Sequence, residues 1–525
     1  MERIIKKLGM AAAMLLPFLS ASAYDFEVDG IYYNVISHTE STCSVTNGGV
    51  KKSKGDLTIP SKVSYKNKTL SVMYIEAEAF KNCNGLTSIT IPNCITEIRS
   101  STFKNCTRLA SITIPNSVTA IAEQAFYGCS NLTSITIPNS ITELCSGVFF
   151  GCTSLTSITI PNSVTVIGTS AFSGCTGLTS ITIPNSVKTI NSYAFSGCTS
   201  LTSITIPNSV EYLSGFYCCS GLTSISIPNS VKTIGRYAFS KCTGITSITI
   251  PNSVKAIGHC AFLECTGLTS ITIPNSVTKI DSWAFYRCTS LYSVELPASL
   301  EEISTDDNAC FKGCENIKKL VILGDEDDSF FTFSGWLTYS DYLAVLLPFS
   351  ELNLEELYLG RMVRYKNLPE TPKYSMKLPY FKDTLKKITF GKKIEDIIGE
   401  TNRSYNLYNN ISSIPTTAEI YCENPTPPSG AEYFTDQQYI SNVVYVPWEA
   451  LEAYKQAEGW KNFWDIRPYD PASGIKDVSA DDVRADVYKI YNLSGMLVKE
   501  TADKTEAYDL PAGIYIINGR KVAIR

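Results

Sequence analysis

Gly151-Cys152-Thr153-Ser154-Leu155-Thr156-Ser157-Ile158-Thr159-Ile160-Pro161-Asn162-Ser163-Val164 returns almost unchanged along the chain, and its period decides the fold. Cysteines mark the frame at Cys83, Cys106, Cys129, Cys152, Cys175, Cys198, Cys219, Cys242, Cys265, Cys288 and Cys314. Most steps are 23 residues; the step from Cys198 to Cys219 is two shorter, and the last, to Cys314, is three longer. A fixed period of this length is the signature of a repeat array rather than of a single globular core.

Within one unit, Ser157-Ile158-Thr159-Ile160 alternates polar and apolar side chains, the period of a half-buried strand. Ile158 and Ile160 are predicted to point inward and Ser157 and Thr159 outward. Pro161 ends the strand because it has no N–H to give to a ladder, and Asn162 suits the turn that follows. Val164 and Ile167 return to the core, Phe172 fills it, and Cys175 opens the next unit as a small buried group. One unit therefore buries Cys, Leu, two Ile, Val, Ile and Phe. That is too little to offset the ordering of 23 residues alone, so stability has to come from stacking.

These units resemble the BspA-like leucine-rich repeats of bacterial surface proteins, whose pattern is met by Ala171, Phe172, Cys175, Leu178, Ile181, Ile183, Pro184, Val187 and Ile190. The clear match covers about residues 75 to 320. The resemblance implies a repeat solenoid with a parallel sheet on one face and irregular or short helical turns on the other. It also implies no catalytic residues and a role in adhesion or host interaction.

The flanking segments complete the expected organisation. Residues 1–23 have the pattern of an export signal: Arg3, Lys6 and Lys7, an apolar run from Leu8 to Leu19, and the small-residue site Ala21-Ser22-Ala23. Residues 24–75 are expected to form an N-terminal cap with a first degenerate repeat. Phe26-Glu27-Val28, Asp29-Gly30 and Ile31-Tyr32-Tyr33 read as strand, tight turn and strand. Regular repeats occupy 76–324, and degenerate repeats with a C-terminal cap occupy 325–470. In that segment Leu354–Leu359, Leu385–Phe390, Ala418–Cys422 and Val443–Pro447 are strand-like. A short amphipathic helix from Ala450 and an aromatic plug at Trp460 and Phe463 close it. Pro468 to Gly474 reads as a linker, and 474–525 as a small β tail. That tail, with Leu510-Pro511-Ala512-Gly513-Ile514-Tyr515-Ile516-Ile517, is similar to the sorting domains of the bacterial type IX secretion route. The likeness implies outer-membrane translocation and surface attachment.

Composition removes several function classes. A net charge of −5 with no basic stripe argues against nucleic acid. Only His38 and His259 are present, and His259 beside Cys260 reads as an exposed turn residue rather than half of a catalytic pair. No Cys-x-x-Cys zinc pattern, phosphate-binding glycine loop or nucleophile elbow occurs. The acidic run Asp325–Asp328 lacks the alternation and central glycine of a calcium loop. Catalytic, cofactor and metal sites are therefore expected to be absent. The eighteen cysteines are expected to stay mostly as buried ladder thiols, with disulfides open to the off-frame Cys43, Cys94, Cys145, Cys218, Cys260, Cys310 and Cys422.

The candidate partner-binding face is the outward side of the strands: Ser111, Thr113, Ser134, Thr136, Ser157, Thr159, Ser180, Thr182, Ser203, Thr205, Ser247 and Thr249. Its partner is expected to be a protein or glycan on a host or neighbouring bacterial surface, met by a monomer. Three readings stay open: an adhesin-like protein binder, a carbohydrate-binding surface protein, and a passive array in which stacked hydroxyls stabilise the sheet by cross-strand bonds. The aromatic group Phe330, Phe331, Phe333, Trp336, Tyr339 and Tyr342 is a second contact candidate.

Overall fold

Ser157, Ile158 and Thr159 form a three-residue strand in which only the middle side chain is buried, as alternation across a pleated strand requires. It pairs in parallel with Ser180–Thr182 of the next unit, Ser157 opposite Ser180 and Thr159 opposite Thr182. The stacking register is thus one whole repeat. The structure is a computed structural model. It describes residues 24–48, 53–304, 310–324, 331–334, 352–361, 363–366, 382–397, 410–471, 475–476, 488–492, 497–501, 513–517 and 520–524. The export signal and the acidic run lie outside the described residues, as do the side chains of the Phe330–Tyr342 aromatic group.

The chain divides into two compact units, one of residues up to Val231 with Tyr237–Gly244, the other of Lys232–Arg236 with Ile245 onward. The first begins with an antiparallel pair, Phe26–Val28 and Ile31–Ser37, with Val28 opposite Ile31. Asp29 and Gly30 turn between them at φ 51 and 77, the left-handed pair that a two-residue hairpin needs. This pair belongs to a five-stranded sheet completed by Thr42–Thr46, Lys68–Ile75 and Lys62–Tyr65. Lys54–Thr58 then pairs in parallel with Gly85–Thr90 and so forms the first rung of the array.

Each regular unit has three sides. The first carries the Ser-Ile-Thr strand. The second carries a two-residue strand, such as Val166–Ile167 between Glu143–Leu144 and Thr189–Ile190. The expected parallel sheet on one face is present, and the structure adds a second, shorter parallel ladder to it. Val166 and Ile167 extend far enough past the Pro161 turn to build a second parallel ladder. The third side is a series of tight turns with no helix in the described residues between 76 and 304. Its backbone also bonds from unit to unit, Phe126 N–H to the Val148 carbonyl at 2.9 Å and Gly128 N–H to that of Phe150 at 2.6 Å. The turn needs a left-handed residue before Ala-Phe, supplied by Gln124 (φ 56), Ser170 (φ 55) and Tyr193 (φ 59).

The core between the three sides is a column of one side chain of each kind per unit. Cys152, Leu155, Val164, Ile167 and Phe172 are fully buried, and Ile158 and Ile160 nearly so. The phenylalanines form a continuous stack in the first unit: Phe149 to Phe172 at 5.5 Å, Phe172 to Phe195 at 5.4 Å, Phe195 to Phe216 at 5.4 Å, with near-parallel rings. Phe262, Phe285 and Phe311 repeat the arrangement in the second unit at 5.3 Å spacing.

The second unit carries a ten-stranded sheet that starts at Ser247–Thr249 and runs through Ser270–Thr272, Ser293–Leu296, Lys319–Ile322, Glu356–Leu359, Lys387–Phe390, Glu419–Cys422, Val443–Pro447 and Asp465–Asp470. The strands expected in the degenerate segment are therefore present. Two short helices connect its last strands, α1 (Asp436–Ser441) before Val443–Pro447 and α2 (Leu451–Gln456) before Asp465–Asp470. Thr435 and Gln438 cap α1 reciprocally. Tyr454, Trp460 and Phe463 are buried and close the sheet end; the Trp460 indole N–H donates to the Pro428 carbonyl at 2.7 Å.

The linker expected from Pro468 is corrected in part. Pro468 to Asp470 belong to a strand, in which Pro468 stands opposite Val446, and Asp470 pairs antiparallel with Ile475. Tyr488–Asn492, Leu497–Thr501, Gly513–Ile517 and Arg520–Ile524 form a four-stranded antiparallel sheet, with Ile517 opposite Arg520 in the last pair.

Candidate functional site

Ser111, Thr113, Ser134, Thr136, Ser157, Thr159, Ser180, Thr182, Ser203 and Thr205 lie exposed on the strand side of the first unit. Ser247 and Thr249 lie exposed on that of the second, followed there by Ser270 and Thr272. Register puts like over like: Ser88 opposite Ser111 and Thr90 opposite Thr113, then Ser203 opposite Ser224. Ser134 departs from the expectation, since its segment forms only an isolated bridge from Thr136 to Thr159.

The structure corrects the idea that these hydroxyls stabilise the sheet by bonding across strands. Among the described residues, Ser111, Thr113, Ser157, Thr159, Ser180, Thr182, Ser203 and Thr205 have no side-chain hydrogen-bond partner within the chain. That work falls to threonines just outside the strands. Thr179 Oγ1 donates to the Thr156 carbonyl at 3.3 Å, and Thr165 Oγ1 to that of Thr142 at 3.3 Å. Ser88 is the exception on the strand side: it and Thr87 donate to Asp56 at 2.7 Å each, which holds the Asp56 carboxyl below the usual carboxylate range.

In the second unit the same two columns change chemistry. The serine column continues as Ser293, Lys319, Glu356, Lys387 and Glu419, with Lys319 and Glu356 paired at 3.2 Å. The threonine column continues as Glu295, Val321, Tyr358, Thr389, Tyr421 and Tyr445. Aromatic side chains therefore stand on the strand side of the degenerate units. Tyr421 and Tyr445 stack at 4.6 Å and are only 4% exposed. The Lys387 ammonium lies 4.3 Å above the Tyr421 ring. Tyr358 donates to Glu423 at 3.0 Å, and burial raises the Glu423 carboxyl above its ordinary range against the pull of that bond and of Lys392 and Lys387.

All eighteen cysteines stand as thiols, the off-frame ones included. Burial raises the thiols of Cys129 and Cys175 to about 12. Cys94 is exposed and Cys145 and Cys218 are half-buried. His259 is half-buried rather than exposed. Among the described residues no group of three or more His, Cys, Asp or Glu is placed to hold a metal ion, and no helix is long and apolar enough to cross a membrane.

Parallel ladders in one-repeat register, with one cysteine and one phenylalanine per turn, define a leucine-rich-repeat solenoid. The profile of the BspA type leucine-rich repeat region matches residues 61–177, 142–215, 171–244 and 213–330, which together run over more than half of the chain. The chain belongs to the BspA-type leucine-rich-repeat family, whose repeats are non-catalytic scaffolds. Among solved structures it is similar to a leucine-rich repeat protein of Bacteroides ovatus, with 26% identity over 66% of this chain and 100% of that one and a TM-score of 0.46. It is also similar to a leucine-rich cell surface protein of Faecalibacterium prausnitzii, with 28% identity over 67% and 97% and a TM-score of 0.45. A third is the pneumococcal vaccine antigen PcpA, with 19% identity over 70% and 93% and a TM-score of 0.40. No curated protein matches the chain.

Proposed function

We propose that this protein is a surface-exposed interaction protein that binds a macromolecule of a host or neighbouring bacterium through the strand side of its regular repeats, in the manner of an adhesin. The observation that carries this reading is the unspent hydrogen-bonding capacity of Ser111, Thr113, Ser157, Thr159, Ser180, Thr182, Ser203 and Thr205, exposed and without partners in the chain. Each hydroxyl can donate and accept, and successive rungs repeat about every 4.8 Å. Such rows suit an extended polar partner, above all a protein segment that offers backbone N–H and C=O groups at a comparable spacing. Export by residues 1–23 and surface attachment through the tail at 474–525, by the type IX route, belong to the same proposal.

The test is capture of matrix and bacterial surface proteins by the exported chain, with Thr159→Glu and Thr205→Glu as the strand-side variant. Saturable binding by the wild type that the variant loses is the expected result. A wild type that captures nothing across such a panel, or a variant that binds as well as the wild type, ends the reading. Truncation before residue 474 is expected to release the protein from the cell surface into the medium; continued attachment of the truncated chain would remove the tail from the proposal.

A further inference from the structure

The shortened step between Cys198 and Cys219 alters the turn side of the first unit, not its core. Ile190-Asn191-Ser192-Tyr193-Ala194-Phe195 in one repeat becomes Leu213-Ser214-Gly215-Phe216 in the next, two residues fewer. Phe216 still stacks on Phe195 at 5.4 Å and on Phe239 at 5.8 Å, so the core column is unbroken. The residues lost are those of the projecting left-handed corner. Tyr193 (φ 59) and Tyr237 (φ 54) occupy that corner in the repeats on either side, and Gly215 (φ 109) stands where the missing corner would be.

Positions two rungs apart in a parallel stack are separated by roughly 10 Å. Yet the Tyr193 and Tyr237 rings lean over the gap to a centroid distance of 6.2 Å, inclined by only 30°. Tyr217 stands edge-on to both, at 5.7 Å and 77° from Tyr193 and 6.1 Å and 87° from Tyr237. The Lys241 ammonium lies 5.9 Å from the Tyr217 ring centre. Tyr193 is 36% exposed, and Tyr217 and Tyr237 are half-buried. The shortened repeat thus gathers one aromatic side chain from each of three successive repeats into a partly exposed cluster, two rings inclined by 30° and the third edge-on, with a cation at its margin.

We propose that this cluster is a carbohydrate-binding site for an acidic pyranose, a sugar residue that carries a carboxylate. The apolar C–H face of a pyranose lies against the Tyr193 and Tyr237 rings, and the carboxylate faces the Lys241 ammonium, which also bonds the Tyr217 phenol. The arrangement argues against the other occupant that aromatic clusters favour, a quaternary ammonium. Rings already in contact leave no room for a cation between them, and the Lys241 charge repels one. The site lies on the turn side of the repeats and is independent of the strand-side reading above.

The experiment titrates the full exported chain with 3′-sialyllactose and a hyaluronan hexasaccharide, and with lactose and chitohexaose as neutral controls, followed by saturation-transfer NMR and calorimetry. Both acidic sugars are expected to bind more tightly than the neutral ones. Tyr193→Asn with Tyr237→Asn, which leaves a residue tolerant of positive φ at each corner, is expected to weaken binding by at least about tenfold, as the loss of two ring contacts implies. Lys241→Gln is expected to keep weak sugar binding and lose the preference for acidic sugars, which tests the charge while the Tyr193 and Tyr237 rings stay in place. Absence of binding by either acidic sugar, wild-type affinity in the double tyrosine variant, or an unchanged acidic preference in Lys241→Gln would each overturn the proposal. Because the ligands are sugars, failure here leaves capture of proteins by the strand side untouched.

Discussion

The carbonyl oxygen of Phe149 accepts a hydrogen bond from the thiol of Cys175, one repeat further on, at 3.2 Å. The same oxygen also accepts the backbone N–H of Cys152 in its own repeat at 3.2 Å. Both lone pairs of a buried carbonyl are thereby used, and a bare alanine could not do it. The relation recurs from Cys106 on Phe80 at 3.0 Å to Cys242 on Phe216 at 2.9 Å in the first unit, and from Cys288 on Phe262 at 3.1 Å in the second.

These thiols make the array sensitive to alkali. The folded chain holds Cys129 and Cys175 protonated up to about 12, against an ordinary value of 9.0. Below about pH 9 both states keep the proton; between about pH 9 and about pH 12 only the folded state does. Stability therefore falls as pH rises through that window, by about 1.4 kcal/mol per pH unit for each such thiol. Urea midpoints measured from pH 8 to 11 are expected to decline, less steeply in Cys129→Ala with Cys175→Ala. A midpoint flat to pH 11 would show that the thiols are not shielded.

Thiol labelling separates the cysteines by position. Iodoacetamide applied to the native protein is expected to modify Cys94 first and Cys145 and Cys218 more slowly, and the buried Cys129, Cys152, Cys175 and Cys198 only after denaturation. Peptide mass mapping reads the order, and early modification of the ladder positions would contradict the buried column.

Phe172 is fully buried between Phe149 and Phe195. Phe172→Ala is expected to cost about 3–5 kcal/mol, the range for emptying an aromatic core site. In a stacked array the loss is felt through neighbouring rungs, so thermal unfolding followed by circular dichroism should broaden as well as shift. Thr159→Glu, on the exposed side of the same repeats, is expected to move stability by no more than about 0.5 kcal/mol.

Glu423 offers a second pH test, confined to the second unit. Burial raises its folded pKa above the ordinary glutamate value of 4.5. The unfolded carboxyl therefore ionises first, and stability falls as pH rises from about that value through the folded pKa. Glu423→Gln is expected to remove this slope, leave the second unit at least as stable at neutral pH, and keep a hydrogen bond from Tyr358. A slope of opposite sign in denaturation midpoints between pH 4 and 7 would mean that Lys387 and Lys392 outweigh desolvation.

The repeat frame was legible because alternation in Ser157-Ile158-Thr159 and the single Phe172 each answer to one local rule, and ten cysteine-marked steps repeat the test. The second ladder was not, because two residues such as Val166 and Ile167 carry too little pattern to distinguish a strand from a turn. The strand-side hydroxyls were found by alternation alone. Their lack of partners was invisible, since which hydroxyls reach a carbonyl, as Thr165 and Thr179 do, is set by how one repeat is stacked on the next. The tyrosine cluster left one trace, the short step between Cys198 and Cys219, but nothing in a linear pattern says that Tyr193 and Tyr237 meet across it.

The sequence by itself determined the period, the inward and outward residues of each strand, and the place of Cys175 in a buried column, because each follows from local periodicity and side-chain polarity. Only the tertiary structure decided which carbonyl Cys175 reaches, which hydroxyls remain unspent, and which tyrosines touch. Those depend on how one repeat is set over the next, and stacking turns positions 20 or more residues apart into neighbours at hydrogen-bond and ring-contact distance.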